Sequence, residues 1–243
     1  MNHPLIIAHR AQSTNAPENA ASALLQAAAD GADLIELDVR LSLDLQPVII
    51  HDALLGRTTN GHGPVALWPS FLLKRLHLEH SASRESIPTV SGMLEIAPPS
   101  VQLAFHLKTH RALGAVLRDI RRHDAAHRCW LWLERMEDAF RATRTLPDLR
   151  CTLLRPGWWT PERRATYFHD AQAAGARGVS VPSGAVAPDL VHHAHQHHLQ
   201  VFSRVEHPHL LPNLTDNGLD GIITADTRDT FAALCALGRR KEA

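Results

Sequence analysis

The sequence predicts an α/β fold of the (β/α)8 barrel type. Three observations support this. Short apolar, β-rich runs alternate with longer helical patterns along the chain, and about eight such units fit within 243 residues. Polar residues also gather at the carboxyl ends of the apolar runs, where a barrel of this kind carries its active site.

The elements follow in order. "LIIAHR" (5–10) is a strand, and a helix follows from Glu18 to Asp30, with Gly31 at its end. "LIELDVRL" (34–41) and "PVIIHD" (47–52) come next, too close together to hold a helix between them. Residues 53–90, with Gly56, Gly61, Gly63, Pro64, Pro69 and Pro88, break the rhythm and read as a loop insertion on the barrel. "VQLAFHLK" (101–108) precedes a helix over 111–124, "CWLWLE" (129–134) one over 136–145, and "RCTLLRP" (150–156) one over 161–174. "GVSVPS" (178–183), "LQVFSRVE" (199–206) and "GIITAD" (221–226) complete the series, each followed by a helical stretch. Residues 1–243 are expected to form one barrel domain, without internal repeats or a low-complexity linker.

Composition narrows the partners. The formal net charge is zero, so no overall basic field points to nucleic acid or an anionic membrane, and anion-binding chemistry must come from a local cluster. The three scattered cysteines, Cys129, Cys151 and Cys235, suit reduced thiols better than a disulfide framework. "MNHPLIIAHR" runs directly into a strand, with neither a signal-peptide pattern nor an apolar run long enough to cross a bilayer. A cytoplasmic protein without stable membrane insertion is expected.

The strand-end residues carry the chemistry. Glu36 and Asp38 are two apart on one face of a strand, where paired carboxylates repel unless a cation stands between them. A divalent ion would relieve that repulsion, and salt bridges at the barrel mouth are the plainer alternative. His9 and His51 each follow an apolar run beside a charged residue, an arrangement suited to paired acid–base work. Arg10 and Lys108 add positive charge that suits a phosphate. Metal ligands, two histidines and two cations around one mouth describe phosphoryl or phosphodiester chemistry on a small-molecule substrate.

In order and spacing, His9-Arg10, Pro17-Glu18-Asn19, Glu36-Leu-Asp38, His51-Asp52 and Arg57-Thr-Thr-Asn-Gly61 with Gly63 strongly resemble the opening of glycerophosphodiester phosphodiesterases. "GLDGIITAD" resembles the last-strand signature of that family. The resemblance implies a TIM barrel related to phosphatidylinositol-specific phospholipases. It further implies metal-dependent cleavage of glycerophosphodiesters to sn-glycerol 3-phosphate and an alcohol. Carried over by position, His9 and His51 become the acid/base pair, Glu36 and Asp38 metal ligands, and Arg10 and Lys108 phosphate contacts. Glu18, after Pro17 and before an alanine-rich helix, reads as a helix-favouring acid in preference to a directly catalytic one, and "RTTNG" either as a segment shaping the insertion or as one bordering the substrate.

Three departures stand out. Ala11 and Leu45 occupy positions where the family has glycine, and His106 replaces the third metal-binding carboxylate while Lys108 is retained. Family resemblance implies Mg²⁺ or Ca²⁺, whereas an imidazole ligand suits Mn²⁺ or Zn²⁺ better. One reading has a softer metal bound through Glu36, Asp38 and His106. A second has Glu134 restoring the lost charge. The third has metal binding lost, leaving a protein that binds a phosphate or headgroup without hydrolysis. Trp158 and Trp159 read either as loop packing or as a cradle for a choline-like cation or a sugar face. "HHAHQHH" (192–198) reads as a solvated helix face with no carboxylate nearby, and "GRRKEA" as a solvated tail.

Overall fold

A computed structural model describes residues 3–12, 16–79, 84–154 and 160–241. The strands are β1 (Leu5–Ala8), β2 (Leu34–Leu41), β3 (Pro47–Ile49), β4 (Gln102–Leu107), β5 (Cys129–Leu133), β6 (Arg150–Leu154), β7 (Gly178–Pro182), β8 (Gln200–Arg204) and β9 (Gly221–Thr224). The helices are α1 (Ala21–Ala29), α2 (Ser70–Leu73), α3 (Val90–Ile96), α4 (Leu113–Arg122), α5 (Met136–Thr145), α6 (Pro161–Ala173), α7 (Pro188–Gln196), α8 (Leu211–Asp216) and α9 (Thr227–Ala236).

All strands except β3 pair in parallel, and β1 pairs with both β9 and β2, closing an eight-stranded barrel. β3 pairs antiparallel with the far end of β2, so the early strand pair is a hairpin on the rim rather than an extra stave. The (β/α)8 expectation therefore holds, with the 53–90 insertion placed after β3.

The period-two alternation of the strands sorts their side chains into two cores. Ile35, Leu37, Val39, Leu103, Phe105 and Leu107 face the helices and belong to the large outer core. Ile7, Leu34, Ala104, Trp130, Trp132, Phe202 and Ile223 fill the barrel itself. On β2 and β4 the inward series then turns polar toward the mouth, through Glu36, Asp38, His106 and Lys108. Among the described residues, no helix is long and apolar enough to cross a membrane.

Three local expectations change. α1 begins at Ala21, not Glu18, because Asn19 takes φ +62° and cannot lie within a helix. α3 was missed in the sequence; it is short, is capped by the Thr89 side chain, and lies behind a proline-rich approach. Within the arginine-rich end, Arg240 is docked rather than solvated. Arg240 donates to both oxygens of Asp33, at 2.6 and 2.8 Å, and its guanidinium lies over Phe231.

Candidate active site

The site is built on the carboxyl ends of β1, β2 and β4. After Ala8 the chain turns through a single 3₁₀ turn, His9–Ala11, in which Arg10 and Ala11 take φ values of +55° and +51°. For residues other than glycine this left-handed conformation costs about 1–2 kcal/mol each. Ala11, fully buried, thus occupies a left-handed position that glycine would take without that cost. The kink lets the Arg10 backbone N–H donate to Glu36 Oε2 at 2.7 Å.

Glu36 and Asp38 are each only 1% exposed, so their charges are decided by neighbours rather than by water. Asn19 clamps Asp38 twice: its Nδ2 donates to Asp38 Oδ2 at 3.1 Å, and its Oδ1 accepts from the Asp38 backbone N–H at 3.0 Å. The parallel ladder sets Asp38 opposite His106. His106 Nδ1 lies 3.4 Å from Glu36 Oε1 and 3.3 Å from Asp38 Oδ1. Lys108 Nζ is 2.9 Å from that same Asp38 oxygen and 3.0 Å from His106 Nδ1, while Arg10 Nε stands 3.4 Å from Asp38 Oδ2.

The protonation pattern follows from this packing. Burial pushes the Glu36 carboxyl up, and the neighbouring Asp38 charge adds to the push. Burial acts in the same sense on Asp38, but His106 and Lys108 outweigh it and hold that group well below the usual carboxylate range. For His106 burial favours the neutral ring, yet the hydrogen bonds of Asp38 and Glu36 prevail and raise it.

The three side chains fit a divalent cation. One ligand atom from each of Glu36, Asp38 and His106 lies within 4.8 Å of the others. The atoms that converge are Glu36 Oε1, Asp38 Oδ1 and His106 Nδ1, with both oxygens on buried side chains and within 3.4 Å of the ring nitrogen. Glu134 does not join this cluster. It is exposed and lines a cavity of about 590 Å³ with Arg135, Leu154, Ser180, Pro182 and Arg204. The reading in which Glu134 restores the missing charge is therefore corrected: its strand end, on β5, opens onto a different part of the mouth.

The histidines differ in their surroundings. His9 Nδ1 is buried without a partner, and burial, with help from Arg204 and Arg10, pushes its pKa down to about 3. His51, just after β3, instead has Nδ1 2.6 Å from Asp52 Oδ1, which fixes the ring and leaves Nε2 for other work. Asp52 also accepts from Arg57 Nε, and this bond above all takes the Asp52 carboxyl down to about 2. Arg57 Nη2 donates to Glu18 Oε1 at 2.6 Å, and Glu18 Oε2 lies 3.3 Å from Arg10 Nη1. Glu18 is thus no helix-terminal acid. It closes a chain of ion pairs running from His51 through the insertion to Arg10.

Sequence reasoning missed the clamp by Asn19, the bridge by Arg57, and Trp132, whose register partner is His106 and whose buried indole N–H has no partner. Other strand-end residues prove structural. Ser203 Oγ donates to the Val181 carbonyl, and Asp226 caps α9 by accepting from the Asp229 N–H. Arg155, Trp158 and Trp159 lie outside the described residues.

Fold and site together define a TIM-barrel protein with a carboxylate–imidazole cluster, two histidines and two cationic side chains at its mouth. The model of the glycerophosphoryl diester phosphodiesterase family matches residues 9–227, and the chain belongs to that family. The chain is 42% identical over 96 residues to a glycerophosphodiester phosphodiesterase of Caldanaerobacter subterraneus, a match covering 38% of this chain and 40% of the relative. It is 34% identical over 111 residues to human glycerophosphodiester phosphodiesterase 1, covering 43% and 34% respectively. The chain thus spans less than half the length of the curated relatives it matches. Among solved structures, an Oleispira antarctica phosphodiesterase in complex with the product sn-glycerol-3-phosphate superposes with a TM-score of 0.82. That match is at 23% identity and covers 96% of this chain and 97% of the other.

Proposed function

We propose that the chain hydrolyses glycerophosphodiesters to sn-glycerol 3-phosphate and an alcohol, with a divalent metal held by Glu36, Asp38 and His106. The observation that carries this reading is the convergence of Glu36, Asp38 and His106, two of them fully buried carboxylates, on the same mouth as His9, Arg10 and Lys108. A bound cation supplies electrostatic neutralisation of the phosphate as charge develops on it. Arg10 and Lys108 hold the phosphate oxygens. His9, uncharged at neutral pH, accepts the proton of the attacking water as its oxygen bonds to phosphorus, or of the substrate's own glycerol hydroxyl, in which case a cyclic phosphate forms and water then opens it to sn-glycerol 3-phosphate. His51, oriented by Asp52, delivers a proton through Nε2 to the departing alkoxide as the phosphorus–oxygen bond breaks.

An imidazole in place of a third carboxylate lowers the negative charge of the ligand set and supports Mn²⁺ or Zn²⁺ over Mg²⁺ or Ca²⁺. The buried Cys129 and Cys151, both unpaired with their thiols pushed up to about 12 by burial, support a cytoplasmic setting. The test is release of glycerol 3-phosphate from glycerophosphocholine or glycerophosphoethanolamine. Chelator is expected to stop it, and Mn²⁺ or Zn²⁺ to restore it better than Mg²⁺. Absence of turnover with Mg²⁺, Ca²⁺, Mn²⁺, Co²⁺ and Zn²⁺ across a panel of diesters would overturn the reading in favour of a binding protein.

A further inference from the structure

The histidine tract acquires partners in the fold that its sequence did not suggest. His193 lies on α7 and His197 caps it, and their ring centroids stand 5.4 Å apart. His197 Nδ1 is 2.9 Å from Gln172 Oε1, near the end of α6. An amide oxygen only accepts, so His197 carries its proton on Nδ1 and keeps the Nε2 lone pair free. An outer hydrogen bond of this kind is what fixes the tautomer of metal-ligating histidines. His193 packs edge-on against the buried Phe168, with centroids 5.4 Å apart, and among the described residues it has no hydrogen-bond partner. His169 of α6 is exposed, with its ring centroid 6.5 Å from that of His197.

We infer that His193 and His197 form a second metal site, a bidentate imidazole chelate for a borderline divalent transition metal such as Zn²⁺ or Ni²⁺, with water completing the coordination. With metal–nitrogen bonds of about 2.1 Å and a tetrahedral angle, the centroids of two ligating rings fall about 5 Å apart. The observed centroid spacing is 5.4 Å. The protein donors are imidazoles alone, so Mg²⁺ and Ca²⁺ are not ligands for this site. It lies just before β8 begins at Gln200, at the end of the barrel opposite the mouth.

The site is independent of the catalytic reading. Equilibrium dialysis of the full untagged chain against Ni²⁺, then Zn²⁺, counts bound equivalents. Wild type is expected to bind one equivalent more than the His193→Ala/His197→Ala double variant, whether or not the mouth is also loaded. A His192→Ala/His198→Ala control, in the same tract but outside the chelate, is expected to match wild type. Rates of diester hydrolysis and thermal melts in metal-free buffer are expected to be the same for all three chains. Equal binding by wild type and the chelate variant would overturn the site. So would an equal loss in the control, since that would mark diffuse binding by the tract.

Discussion

The two arcs of the barrel mouth are built differently. On β1, β2 and β4, the strand ends bury Glu36, Asp38 and His106 with Lys108 beside them, and each charge is answered by another within about one hydrogen-bond length. On β5 to β8, the buried inward residues at similar depth are Trp132, Thr152 and Phe202, and the charges of Glu134 and Arg204 stand exposed. The reason is topological. β2 is flanked by β1 and β4, because its neighbour in sequence, β3, peels away as an antiparallel hairpin. Three adjacent strands can therefore pool charges that none could bury alone. Buried charge is thus concentrated on one arc, while the other closes the barrel with buried aromatic and small polar side chains.

That contrast can be broken or sharpened by substitution. The largest effect is expected at His9: His9→Ala should lower kcat/KM for a glycerophosphodiester by on the order of 10³-fold. Arg204→Ala on the opposite arc should stay within about tenfold. Steady-state kinetics on the two variants decides whether the chemistry lies on the arc that buries the charge. Next comes stability. Lys108→Met leaves the Asp38 charge short of a partner and is expected to cost about 3 kcal/mol in urea unfolding of metal-free protein. Thr152→Val, which removes a buried hydroxyl that has no partner, should be nearly neutral.

A third effect is visible only in acid. His9 stays neutral in the fold down to about pH 3, whereas in the unfolded chain it takes a proton near its ordinary 6.5. Over that window the unfolded state binds more protons, so stability rises with pH and is lost as pH falls from 6.5 toward 3. His9→Gln is expected to flatten this part of the stability–pH curve. An unchanged slope would mean that the His9 environment is more open than its burial indicates. Arg57→Ala, which uncouples Asp52 from Glu18, should lower kcat about tenfold, partly rescued in Arg57→Lys. The smallest change expected is a gain: Ala11→Gly relieves a positive φ and should stabilise the fold by about 1 kcal/mol, read from thermal melts.

Much of the site was legible before the structure. Glu36 and Asp38 share a face because strand residues two apart always do, and the end of an apolar run locates the mouth. His106 and Lys108 obey the same rule. Glu18 and Arg57 escaped because their ion pair joins residues 39 apart, and no local pattern encodes it. Asn19 escaped for a related reason: its positive φ both delays α1 and turns its amide toward Asp38.

By itself, then, the sequence determined the repeating strand–helix order, the residues at the strand ends and the departure at position 106. These depend on periodicity and on neighbours in the chain, and physical chemistry acts on them locally. Only the tertiary structure decided which charges answer one another, that Glu134 stands apart, and that His197 gains an orienting partner from α6 while His193 packs on Phe168. Those outcomes depend on the closure of β1 onto β2 and β9 and on the lateral packing of helices. Both bring together residues far apart in the chain, and no short window of sequence contains that information.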